Sequence, residues 1–141
     1  MDGLSALGAR AHLAVALWSS GRFAEALAVG LAVWETQVRV LGPEHPITLN
    51  SAAYVGIGYR EGGRPEEALE ISLQTLRSRA RHLGALHPDT LHTMHNLAAA
   101  LREIGDEQGA ITLIREVLDM RTAMLGPDHP DTRRAREFIG S

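Results

Sequence analysis

His92 and His95 are the residues whose type and spacing come nearest to chemistry in this chain. Three positions apart on a helix, two imidazoles share a face, as metal ligands do. The pair is incomplete as a metal site: no carboxylate stands at i+4 from either, and Glu103 lies two to three turns on. The bare reading is two polar side chains on one helix face, with no metal and no cofactor. Other chemistry is bounded as firmly. With no cysteine, disulfides, thiolate metal sites and thiol nucleophiles are excluded. No Ser–His–Asp grouping is legible, and Gly62-Gly63 reads as a helix stop without the strand that a phosphate loop follows. A net charge of −3 and a pI near 6.1 argue against nucleic acid as a partner, because phosphate binding needs concentrated positive charge. All 14 basic residues are Arg, a bias that points to a high-GC genome. Arg77, Arg79 and Arg81 form no basic stripe, since helical geometry spreads them around the cylinder, and they read as solvated surface.

His45, His87 and His129 belong to a phrase that the chain repeats. Leu41-Gly42-Pro43-Glu44-His45-Pro46-Ile47-Thr48 returns from Leu83 and again from Leu125, at a constant step of 83 − 41 = 125 − 83 = 42 residues. A second phrase, Gly21-Arg22-Phe23-Ala24-Glu25-Ala26-Leu27, recurs from Gly63 and from Gly105 at the same step. Two phrases locked to one period mean a tandem array, in which each unit buries its apolar face on its neighbours. Repetition makes these three histidines structural. His87 is placed to cap the helix that Pro88 begins.

The third unit shows the local logic. Leu91, Met94, Leu97, Ala98 and Leu101 recur at helical spacing, Gly105 stops that helix, and Asp106 caps a second one. Ala110, Leu113, Ile114, Val117, Leu118 and Met124 are expected to form the second buried stripe, and Leu125-Gly126-Pro127 ends it. The expectation is an all-α array of about three helical hairpins, with units near 4–45, 46–87 and 88–129 and a charged capping helix at 130–139. Helices are expected near 4–19, 22–40, 46–61 and 65–82 in the first two units. No apolar run reaches the roughly 18 to 20 residues of a membrane span. The apolar stretch Ala11 to Trp18 aligns with Ala53 to Arg60, so it reads as repeat and not as a signal peptide, and a cytoplasmic location is the default expectation.

The register Leu97-Ala98, Leu101, Gly105, Ala110 resembles the tetratricopeptide repeat. The 42-residue step and the Leu-Gly-Pro-x-His-Pro-x-Thr linker resemble its kinesin-light-chain-like subfamily, across nearly the whole chain. That resemblance implies a right-handed superhelix whose first helices line a concave groove, holding a peptide or partner segment and performing no chemistry. In bacteria the subfamily is commonly attached to signalling ATPases or regulators, for which this chain has no room, so a stand-alone adaptor or an excised piece is expected. Carried over position by position, the groove residues are Trp18 in unit 1, Asn50, Tyr54 and Arg60 in unit 2, and His92, His95, Asn96 and Arg102 in unit 3. Trp18, Arg60 and Arg102 share one repeat position and should form a row suited to an acidic ligand with an apolar anchor. The competing assignment pairs both arginines within the fold, with Glu61, Glu103 or acids of the following helix. Among the positions of His12, Tyr54 and Asn96 only the last carries the Asn of related arrays, so the carboxylate clamp of chaperone cofactors is not present.

The leading function is a non-catalytic scaffold or adaptor with a protein or peptide partner, no nucleic acid and no membrane. The alternatives are a ligand- or peptide-sensing regulatory domain and an enzyme or enzyme partner built on His92, His95 and Arg102. Three departures from the repeat stand out. Gly56 and Gly58 replace alanines of the other units, and Gly58→Ala is expected to stabilise by about 0.5–1 kcal/mol. Leu86 puts an apolar residue where the other linkers carry Glu44 and Asp128, a candidate contact with another chain. The first helix is apolar at Leu4, Leu7, Leu13, Val15 and Leu17, which points to a homodimer through the N-terminal helix.

Overall fold

The repeated phrases dictate where the helices break. The computed structural model describes residues 2–141, with side chains described at residue 10 and from residue 12 onward. Seven helices follow in order among those residues: α1 (Asp2–Ser19), α2 (Phe23–Leu41), α3 (Pro46–Glu61), α4 (Pro65–Leu83), α5 (Pro88–Glu103), α6 (Glu107–Leu125) and α7 (Pro130–Gly140). Each helix packs on the one before and the one after it, and α3 also touches α5, so the elements stack as an array without strands among the described residues. All-helical architecture is as the periodicity predicts.

The linker phrase builds the same joint three times. His45, His87 and His129 have nearly identical extended backbones, and each imidazole Nδ1 accepts the N–H two residues on, at 3.1, 3.0 and 3.1 Å. Each thereby satisfies one of the free N–H groups that every helix start leaves, while proline fills the first helical position, where its missing N–H costs nothing. Gly42, Gly84 and Gly126 end the preceding helices at φ of 95, 92 and 89°, a region that L side chains avoid. The threonine that closes the phrase is buried every time, at Thr48, Thr90 and Thr132. Asp106 accepts from the Gly109 N–H at 2.9 Å, capping α6 as its type and place require.

The core runs along the array and changes character with it. Towards the C-terminal end, Leu91, Met94, Ala98, Ala110, Ile114, Val117 and Ala135 form a dense cluster, with Phe138 and Ile139 of α7 closing it. Between the first two hairpins the cluster is smaller: Ala52, Val55 and Ile71, flanked by Leu27, Leu31, Trp34 and Tyr59. One position explains much of the difference. Residues 30, 72 and 114 are equivalent in the repeat, and they are Gly, Ser and Ile. Ile114 is fully buried, Ser72 presses on Gly56, and Gly30 fills nothing.

Candidate functional site

The first helices of the hairpins, α1, α3 and α5, with α7 behind them, carry the residues expected to bind. At the N-terminal end, Trp18 and Val15 of α1 face Asn50, Tyr54 and Gly58 of α3 across a pocket of about 230 Å³. Trp18 is steadied by Phe23, ring centroids 4.8 Å apart and edge-on. Tyr54 stands free at 63% exposure. The floor of the pocket comes from α2, through Leu27, Gly30, Val33 and Gln37, none of which the first-helix pattern points to. Their signal lay in the register all the same: position 30 loses its side chain only in unit 1.

At the other end the residues are polar and ordered by two buried arginines. Arg79 and Arg121 are 5% and 4% exposed, which corrects the expectation that Arg79 is solvated surface. Together with Gln37 they occupy one repeat position, on the buried side of the second helices. Arg79 donates to Thr93 Oγ1 at 2.8 Å and to Asn50 Oδ1 at 2.9 Å. Arg121 donates to the Asp131 carbonyl at 3.1 Å and approaches His95 Nδ1 at 3.4 Å. Neither makes an ion pair with a carboxylate among the described residues. Desolvation lowers both guanidinium pKa values, an effect the nearby Asp89 and Asp131 oppose.

Burial, and after it these cations, set the state of the histidine pair. Desolvation first, then Arg121 and His92, push His95 down to about 4. His92 is shifted down by the same kinds of cause, desolvation and then Arg121 and Arg79. His95 is thus neutral, with Nδ1 turned to Arg121 and its ring edge-on to Phe138 at 5.4 Å between centroids. Asn96, one residue on, is half-buried. No group of three or more metal-binding side chains forms among the described residues.

Arg60 and Arg102 are engaged within the fold, not extended towards solvent. Arg60 pairs with Glu61 at 3.6 Å and Glu103 at 3.5 Å. Arg102 pairs with Glu107 at 2.8 Å, donates to the Phe138 carbonyl at 2.8 Å and to Ser141 Oγ at 2.6 Å, and lies over the Phe138 ring at 3.8 Å. The competing assignment of internal pairing describes both. Arg102 ties α5 to the end of α7.

An array of helical hairpins with polar and aromatic side chains on its first helices defines a helical-repeat protein. One tetratricopeptide repeat profile matches residues 5–81 and a second matches residues 90–131. The chain belongs to the tetratricopeptide repeat family, and it is of the kinesin-light-chain-like type. Two crystal structures of nearly identical TPR-like repeats, assigned to a kinesin light chain of Podosopora anserina, superpose on it with TM-scores of 0.88 at 28% identity. One of them is a single-substitution variant of the other. They cover 99% of this chain, which spans 66% of their length. A comparison with curated proteins finds no match. No helix among the described residues is long and apolar enough to cross a membrane. Tetratricopeptide repeats generally mediate protein–protein interactions.

Proposed function

We propose that the chain is a non-catalytic adaptor or scaffold module, one domain of three hairpin units and a closing helix, that holds a peptide segment of a partner protein along its first helices. The observation that carries this reading is the gradient on that face. Trp18 and Tyr54 border an apolar pocket at one end, while at the other His92, His95 and Asn96 share α5, with His95 against Arg121, and neither Arg79 nor Arg121 has a carboxylate partner among the described residues. Rigid helices present these groups in a fixed order, and an extended segment with an apolar anchor and an acidic group at matching spacing complements them. Asn50, held by Arg79, links the two ends. Arg60 and Arg102 support the face by fixing neighbouring helices.

The test is selection from a displayed peptide library, followed by affinity measurements on variants. Tyr54→Ala combined with His92→Ala should weaken the selected peptides at least tenfold, while Glu70→Ala on α4 leaves them unchanged. Equal loss at Glu70, or no loss at the double variant, rejects the first-helix face as the binding surface.

A further inference from the structure

The pocket between α1, α2 and α3 has three features that a peptide groove alone does not require. First, its opening is a property of one position. Gly30 sits where unit 3 places the fully buried Ile114, and a Cβ built on Gly30 would meet only Val55 Cγ2, at 3.7 Å. The array therefore closes this space with its own side chain in one unit and leaves it open in another. Second, no acidic or basic side chain among the described residues lines it, and Trp18, Leu27, Val33, Ile47 and Val55 contribute apolar wall. An ionised ligand would lose its hydration there without a counter-charge. Third, Gln37 lines the pocket at 4% exposure, and its Oε1 is buried without a hydrogen-bond partner among the described residues. A buried acceptor left unpaired is costly, and the soft last torsion of a glutamine lets its amide turn to meet a donor. The same position carries Arg79 and Arg121 in the other units, both hydrogen-bonded, whereas Gln37 Oε1 has no partner among the described residues.

We infer that this pocket binds a free, neutral, aromatic small molecule with one N–H donor, of the indole class, the donor being received by Gln37 Oε1. Size supports the class: a cavity of about 150 Å³ takes benzene, so about 230 Å³ suits a bicyclic ring. Trp18 and Tyr54 supply aromatic edges at the mouth. The site shares Trp18 and Tyr54 with the apolar end of the proposed peptide face, but it includes neither His92 nor His95 and its Gly30 and Gln37 lie on α2.

The probe is indole itself, titrated into the whole chain and followed by calorimetry and by two-dimensional NMR of the backbone amides. Saturable binding should perturb resonances of α1, α2 and α3, and N-methylindole, which lacks the donor, should bind at least tenfold more weakly. Gly30→Ile should abolish binding by filling the space as Ile114 does. Gly30→Ser, the residue of unit 2, should weaken it while disturbing the fold less. Gln37→Leu should erase the difference between indole and N-methylindole. Absence of saturable binding at millimolar indole overturns the inference, as does binding that a folded Gly30→Ser or Gly30→Ile variant leaves untouched. Either failure leaves the displayed-peptide result unaffected, so the two readings fall separately.

Discussion

At the residue scale, identical substitutions on one helix should have opposite consequences because their neighbours differ. A Cβ on Gly58 would lie 3.0 Å from Leu27 Cδ1, the far end of a flexible side chain that borders the open pocket. Leu27 has room to give way, so Gly58→Ala should keep the propensity gain and stabilise by about 0.5 kcal/mol. A Cβ on Gly56 would lie 3.2 Å from Ile71 Cγ2 and 3.3 Å from Ser72 Oγ, short branches fixed to the α4 backbone. Gly56→Ala should therefore destabilise by about 1 kcal/mol as overpacking outweighs propensity. Urea unfolding of the two variants settles both signs. His95 gives a second prediction. Its pKa of about 4 in the folded chain is below the usual 6.5, so the unfolded chain binds the proton more readily between those values. The stability it contributes is present above pH 6.5 and is lost as pH falls towards 4. His95→Gln should flatten the pH dependence of the melting temperature in that window; an unchanged slope would assign the acid sensitivity elsewhere.

At the element scale, α7 shows how a terminal helix without a hairpin partner is held. Thr132 and Ala135 are buried, and Phe138 and Ile139 pack on the core, while Arg133, Arg134, Arg136 and Glu137 remain exposed. Arg102 then receives the last turn through the Phe138 carbonyl and ring. A row of ligand-binding arginines would make Arg102→Ala a binding mutation with unchanged stability. The geometry predicts the reverse: Arg102→Ala should release α7, seen as faster amide exchange over residues 130–140 and a lower melting temperature, because packing and hydrogen bonds go together. Unchanged exchange in α7 would show that its apolar contacts suffice.

At the scale of the whole molecule, the two ends are finished differently. Leu13 is 49% exposed, whereas its repeat equivalents Val55 and Leu97 are 2% and 5% exposed beneath the helix of the unit before them. Leu4 and Leu7 lie outside the residues whose side chains are described. Leu13 and Val15 therefore offer an apolar surface on α1 that another helix could cover. Concentration-dependent association is expected, reduced by Leu13→Glu; light scattering that reports a monomer at high protein concentration would exclude it. A second edge differs between units on a smaller scale. Glu44 binds Arg81 and His82 across one joint, and those contacts hold its carboxyl below the usual range, His82 most strongly. One repeat on, the same places carry Leu86, Ala123 and Met124, all exposed, which corrects the expectation that Met124 belongs to the buried stripe of α6.

The 42-residue step, the histidine caps and the glycine stops were legible in the chain because each is a local requirement. A helix start needs an acceptor, a helix end needs a residue tolerant of positive φ, and a regular repeat shows both several times. From these the all-helical array followed, with its seven helices in register. What only the tertiary structure decided is where side chains of equal register end up. Trp18, Arg60 and Arg102 share a position, yet one borders a pocket and two are engaged inside the fold. Arg79 looked like solvated surface and is buried. Repeat position fixes the direction in which a side chain leaves its helix, but the volume and charge that meet it there are set by the neighbouring helices. The absence of one side chain at Gly30 has no local consequence in the chain; it becomes a pocket only when α1 and α3 are brought over α2.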